Sequence, residues 1–171
     1  TPWNFPIAIA AWKSFPALIC GNTVVWKPSI ETPLMAYHLA EIIKEAGVPD
    51  GVFNVVFGTG QTVGNALVAH PDVSVISFTG SNSVGSKVAE KAGSLLKKVS
   101  LELGGKNAVI VMDDADLQLA AEAIIWSAFG TAGQRCTACS RVIVHEAVSE
   151  RLLQLLLEKI TQLKIGDGLD E

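Results

Sequence analysis

Charge is scarce in this sequence, and long apolar runs are missing. Of its 171 residues, 18% are charged and 49% hydrophobic, where an ordinary soluble domain is about a quarter charged. Mean hydropathy is +0.38. In a membrane protein such oiliness would gather into spans of about 20 residues. Here it is broken into short stretches such as Ile7–Ala11, Val73–Ile76 and Val109–Met112, so no membrane partner is expected. The opening residues, Thr1-Pro2-Trp3-Asn4, lack the basic region and apolar stretch of a signal peptide. A basic excess is also missing: 13 basic and 17 acidic residues leave a net charge of −4, which argues against a nucleic-acid partner. Three cysteines do not make a disulfide framework, and a reducing, cytoplasmic compartment is expected. The histidines, His38, His70 and His145, show no ligand-like spacing, and a structural zinc needs four ligands; no metal is expected. Repeats and low-complexity segments are missing too.

What is present alternates between strand and helix. Ile7–Ala11 and Thr23–Trp26 read as short buried strands. Thr32-Pro33 reads as a helix start, with apolar residues at Ala36, Leu39, Ile43 and Ala46 before Gly47 and Pro49 stop it. Strands are expected at Val52–Phe57, Val73–Phe78 and Lys97–Leu101, with helices at Gln61–Ala69 and Ser83–Ala92 between them. This alternation implies parallel crossovers, so residues 1–103 are expected to form a doubly wound, Rossmann-like α/β sheet. Gly104-Gly105 marks a break. Residues 104–171 then read as the beginning of a second α/β domain. It holds a strand at Asn107–Met112, a helix from Asp116 to about Phe129, a glycine-rich turn, a strand at Arg141–His145 and a helix near Val148–Leu163. Both ends look cut, and a longer parent protein is expected.

Three stretches carry candidate chemistry. In Thr79-Gly80-Ser81-Asn82-Ser83-Val84-Gly85, a glycine turn joins a strand to a helix start, where free N–H groups and the helix dipole attract anions. An ordinary β–α turn has the same pattern. A phosphate-binding loop for a nucleoside triphosphate shares the glycine spacing, but its lysine should follow Gly85 directly and here comes one place late, at Lys87. The dinucleotide fingerprint G-x-G-x-x-G does not occur here either, so a dinucleotide would need a variant loop. In Gly133-Gln134-Arg135-Cys136-Thr137-Ala138-Cys139, a cysteine beside an arginine on a glycine turn sits where its thiolate would be stabilised. The same pattern suits a small buried hydrophobe or a redox pair with Cys139. Glu102, in Leu101-Glu102-Leu103-Gly104-Gly105-Lys106, closes a strand at the sheet edge where open α/β sheets bind ligands. Half-buried there, its pKa would rise toward that of a general base. A solvated strand-end glutamate is the plainer reading.

Taken together, Pro2-Trp3-Asn4-Phe5-Pro6, Lys27-Pro28-Ser29, Phe78-Thr79-Gly80-Ser81, Glu102-Leu103-Gly104-Gly105-Lys106 and Gly133-Gln134-Arg135-Cys136 make the whole chain resemble the aldehyde dehydrogenase superfamily. They occur in the family's order and at its approximate spacing. The resemblance implies that Cys136 is the nucleophile, Glu102 the general base and Asn4 an oxyanion donor. It further implies that Trp3, Lys27, Ser29, Gly80, Ser81, Val84 and Gly85 contact the cofactor, Lys27 at the adenosine ribose and the Gly80–Gly85 loop at the pyrophosphate. Cys139 becomes a mere neighbour. An aldehyde substrate, a homo-oligomeric parent and oxidation to a carboxylic acid with NAD are implied. The 171 residues by themselves are expected to be inactive, with a non-catalytic nucleotide-binding or structural role as the alternative.

The sequence departs from the family at one informative place. Many members carry a glutamate for the ribose hydroxyls three residues after the lysine; here Ile30 stands there and Glu31 follows. The usual barrier to a 2′-phosphate is thereby weakened, and NADP stays open beside NAD.

Overall fold

The computed structural model describes residues 1–169. The chain divides into two compact units, Thr1–Gly104 and the segment from Gly105 onward, and each is built from β–α–β units.

The first unit opens with helix α1 (Pro6–Ile19), and this corrects the strand expected at Ile7–Ala11. A run of five apolar residues is compatible with either element. Pro6 occupies the first turn, where its lost N–H costs nothing. The alanine-rich stretch that follows favours helix, and Ile9, Ala10 and Ser14 lie on the buried face. Gly21, at φ 80°, ends the helix by accepting a left-handed turn.

Strand β1 (Val24–Trp26), helix α2 (Pro33–Glu45) and strand β2 (Phe53–Val55) follow. The strands pair in parallel from Val24↔Phe53 to Trp26↔Val55. Ala36, Leu39 and Ile43 recur on one face of α2 and pack with Ala10 and Trp26, flanked by Val24, Val48, Phe53 and Val55. The segment expected as one helix over Gln61–Ala69 is instead a π-helical turn (Gly60–Gly64) leading into the short α3 (Asn65–Ala69). Two glycines and the β-branched Thr62 and Val63 are weak α-helix formers, and Thr59 caps the turn by accepting from Thr62 N–H at 3.2 Å. Strand β3 (Val75–Gly80), helix α4 (Asn82–Ser94) and strand β4 (Lys98–Leu103) complete the unit. Here the parallel register runs from Val75↔Lys98 to Gly80↔Leu103.

In the second unit, strand β5 (Asn107–Val111) and strand β6 (Cys139–Val144) are parallel and joined through helix α5 (Leu117–Phe129). Helix α6 (Glu146–Ile160) follows. Asp116 caps α5 by accepting from the N–H groups of Gln118 and Leu119. The core gathers Val111, Leu117, Ala121, Ile124 and Leu152. Each large side chain so buried contributes roughly 1.5–3 kcal/mol. The α/β class with parallel strands is therefore observed, with hydrogen bonds joining the strands pairwise. Among the described residues, no helix is long and apolar enough to cross a membrane.

Candidate active site

The β3–α4 turn has the geometry of an anion site, but its glycines have a packing role as well. Ser81 sits in extended backbone and caps α4, its hydroxyl accepting from Val84 N–H at 3.4 Å. Asn82 and Ser83 then present first-turn N–H groups that a helix does not pair internally, and the first turn carries no acidic side chain. A Cβ on Gly80 would lie 2.5 Å from the Phe78 ring, and one on Gly85 would lie 2.5 Å from a Leu103 methyl. Gly85 is thus glycine because α4 rests directly on β4. Val84, 45% exposed, faces outward beside the cap.

Lys27 follows β1. Its ammonium donates to the carbonyls of Pro28 at 2.6 Å and Gly58 at 3.0 Å, which aims it back toward the glycine-rich segment before the π-helical turn. Desolvation holds its pKa below the ordinary lysine range. Ser29 accepts from Glu31 N–H through its hydroxyl at 3.2 Å, a local turn that leaves Ile30 58% exposed. Glu31 is exposed as well. Trp3 is exposed and Asn4 half-buried just ahead of α1.

The expectation for Glu102 is corrected. It lies inside β4, opposite Thr79 of β3, and is exposed rather than half-buried. Alternating burial along β4 explains this: Val99, Leu101 and Leu103 turn inward, so Ser100 and Glu102 turn out. The strand direction, not the flanking leucines, decides which way the acid points. Beside it lies a residue that the strand-by-strand reading passes over. Lys13 donates to Ser77 Oγ at 2.8 Å; burial holds its pKa below the usual value, while the nearby Glu102 carboxylate pulls in the opposite direction. Lys13 is the single charged residue between Pro6 and Ile19. Once that stretch is known to be one helix, a lone ammonium among apolar residues becomes a signal.

Cys136 is exposed on a tightly wound segment. The 3-10 turn Gly130–Gly133 contains Thr131 and Ala132 at φ 57° and 53°, and Gly133 follows at φ 69°. Left-handed backbone is costly for a β-branched residue such as threonine. At Gly133 a Cβ would approach the Ala128 carbonyl to 2.8 Å, so only glycine fits there. Ala138 N–H donates to Arg135 O at 3.1 Å, which places Cys136 second in a closed four-residue turn.

Arg135 does not serve the thiolate as its adjacency suggested. Its guanidinium lies 4.1 Å from the centre of the Trp126 ring and donates to the carbonyls of Trp126 at 2.8 Å and Ser127 at 3.1 Å. It therefore binds carbonyls in the last turn of α5, where a cation is favoured, sharing that of Trp126 with Gly130 N–H. The helix end offers the guanidinium two carbonyls and an aromatic face. Cys139 N–H donates to Ser127 Oγ at 3.2 Å, and its thiol contacts Arg141 O at 3.3 Å. Asn107, which no motif reading singled out, donates from Nδ2 to Cys136 O at 2.6 Å and Ala138 O at 3.3 Å.

Comparison with known proteins places these features in a family. The model of the aldehyde dehydrogenase family matches residues 1–171. A phenylacetaldehyde dehydrogenase of Pseudomonas fluorescens is 52% identical, over 99% of this chain and 34% of the relative. Retinaldehyde dehydrogenase 3 of Mus musculus is also 52% identical, over 99% of this chain and 33% of its own length. The chain thus spans about a third of the length of the curated relatives it matches. Among solved structures, an Escherichia coli NADP-dependent enzyme superposes with a TM-score of 0.95 at 48% identity, covering 99% of this chain and 35% of that one. An NAD-dependent aldehyde dehydrogenase of Sinorhizobium meliloti gives 0.95 at 45% identity, covering 99% and 34%. A glycine turn capped by Ser81, a lysine after β1 and an exposed cysteine on a clamped turn are thus carried by a chain that belongs to the aldehyde dehydrogenase family.

Proposed function

We propose that this chain supplies the nucleophile and much of the cofactor site of an NAD(P)-dependent enzyme that oxidises an aldehyde to a carboxylic acid. The observation that carries the reading is Cys136, an exposed thiol at the second position of a closed turn whose backbone is held on both sides. An aldehyde cannot lose hydride until its carbon is tetrahedral and electron-rich. The Cys136 thiolate attacks that carbon, forming a C–S bond and an alkoxide, and so splits a hard reaction into two easier ones. The Cys136 backbone N–H and the Asn4 amide donate to the alkoxide, each such donor contributing roughly 3–4 kcal/mol. A bound nicotinamide would supply the hydride acceptor, so that collapse of the alkoxide would expel hydride and leave a thioester on Cys136. Glu102 then takes a proton from water as the water attacks the thioester carbon. The C–S bond breaks, the acid leaves and the thiolate returns.

The residues fit such a cofactor. The N-terminus of α4, with no acidic side chain in its first turn, suits a pyrophosphate, with Gly80, Ser81, Val84 and Gly85 around it. Lys27 is assigned to the adenosine ribose and Trp3 and Ser29 to cofactor contact, with Ile30 in place of a ribose-binding carboxylate. NAD is the cofactor, and NADP is admitted beside it.

The nucleophile assignment is tested in an active enzyme containing this chain. Cys136→Ala removes aldehyde oxidation by at least ~10³-fold, the scale at which loss of a nucleophile leaves only residual catalysis, whereas Cys139→Ala and Cys20→Ala retain most of it. The reverse result overturns the assignment.

A further inference from the structure

We infer that Asn107 is a positioning residue for Cys136, an inference that rests on Cys136 being the nucleophile. Asn107 opens β5, where its backbone pairs with Cys139 and the register then shifts before Ala108. Irregularities of this kind re-aim a side chain. The Asn107 carboxamide reaches back across the turn, its Nδ2 donating to Cys136 O at 2.6 Å and to Ala138 O at 3.3 Å. Both partners are acceptors and a carboxamide nitrogen carries two hydrogens, so the amide orientation follows: turned over, its oxygen would face two carbonyl oxygens. On the other side of the cysteine, Arg135 is fixed to the carbonyls of Trp126 and Ser127 in the last turn of α5 and to the Trp126 ring.

The consequence concerns two groups at once. Asn107 holds the peptide that follows Cys136, and Arg135 anchors the residue that precedes it. The intervening backbone carries the N–H assigned to the oxyanion and the Cα from which the thiol projects, so neither of these shifts without disturbing a hydrogen bond. Donors fixed before the reaction need no reorganisation during it, and a displacement of about 1 Å costs up to ~10²-fold in rate. A plainly structural asparagine would satisfy the same two carbonyls, but its loss would affect stability and not the chemical step.

The experiment separates these in an active enzyme containing the chain, with Cys136→Ala measured in parallel. Asn107→Ala is expected to lower kcat by roughly 10- to 100-fold while KM for NAD stays within about twofold. Asn107→Asp keeps the shape, but its ionised form offers no hydrogen to either carbonyl. A protonated carboxyl donates once, so the kcat of this variant, relative to the parent, recovers as pH is lowered toward the carboxyl range; that of Asn107→Ala does not. Full kcat in Asn107→Ala, or equal pH profiles for the two variants, overturns the inference. If either variant does not fold, Asn107→Ser, which retains one donor, is expected to show an intermediate loss, and an undiminished kcat in it is again an overturning result. Activity surviving in Cys136→Ala removes the nucleophile reading and this inference with it. Inactive Cys136→Ala beside unaffected Asn107 variants removes this inference alone.

Discussion

At Ile30, a single side chain bears on which cofactor the proposed enzyme would accept. A 2′-phosphate brings about two negative charges, and a carboxylate at this position would repel it while bonding the ribose hydroxyls of NAD. Ile30, 58% exposed, does neither. Glu31 is one residue on, exposed, with its N–H tied to Ser29 Oγ. NAD is therefore expected to be preferred over NADP by only about tenfold, or ~1.4 kcal/mol. Ile30→Glu should widen that preference and Lys27→Ala should weaken both cofactors, NADP more, because Lys27 is the one basic side chain in this stretch of sequence. The ratio of kcat/KM for the two cofactors in both variants checks this. A thousandfold preference in the parent, unchanged by Ile30→Glu, would show that Glu31 or another part of the protein governs the choice.

At the level of elements, the contact of α4 with β4 bears on the β3–α4 turn. Gly85 is buried against Leu103, whose methyls would lie 2.5 and 3.0 Å from an added Cβ. Gly85→Ala is expected to overpack this contact at a cost of roughly 1–3 kcal/mol, seen as a lower Tm. Leu103→Ala in the same background should recover part of that loss, because adjoining residues are not additive. If the double variant is as unstable as the sum of the two singles, the contact is not what requires glycine. The position of Gly85 was legible in the motif, yet the reason for it was not: glycine spacing looks the same whether the space is needed for a phosphate or for a neighbouring leucine.

For the molecule as a whole, two separate cores sustain two separate units. Ala10, Trp26, Ala36, Leu39 and Ile43 form one; Val111, Leu117, Ala121, Ile124 and Leu152 form the other. Leu152, 1% exposed, joins α6 to this second cluster. Leu152→Ala is expected to destabilise by roughly 2–5 kcal/mol and to lower amide-exchange protection across β5, β6, α5 and α6 together. Loss confined to α6 would show that the cluster is not one cooperative core.

From β1 onward most of the order of elements, the parallel pairing and the membership of the family follow from the sequence alone, because apolar periodicity, glycine turns and a set of spaced motifs are local properties of the chain. Cys136 and Ser81 could be singled out as candidates for the same reason, although the capping role of Ser81 could not. Where a choice depended on what lies across space, the sequence was silent or misleading. Ile7–Ala11 suits a strand until a continuous helix packs its face onto Trp26 and α2. Glu102 reads as sheltered by two leucines until the pleat of β4 turns it outward. Arg135 adjoins Cys136 along the chain, yet it belongs to the end of α5. Asn107 stands 29 residues before Cys136, and only the pairing of β5 with β6 brings its amide to the cysteine carbonyl, because a hydrogen bond is decided by a few ångströms of separation and not by distance along the chain.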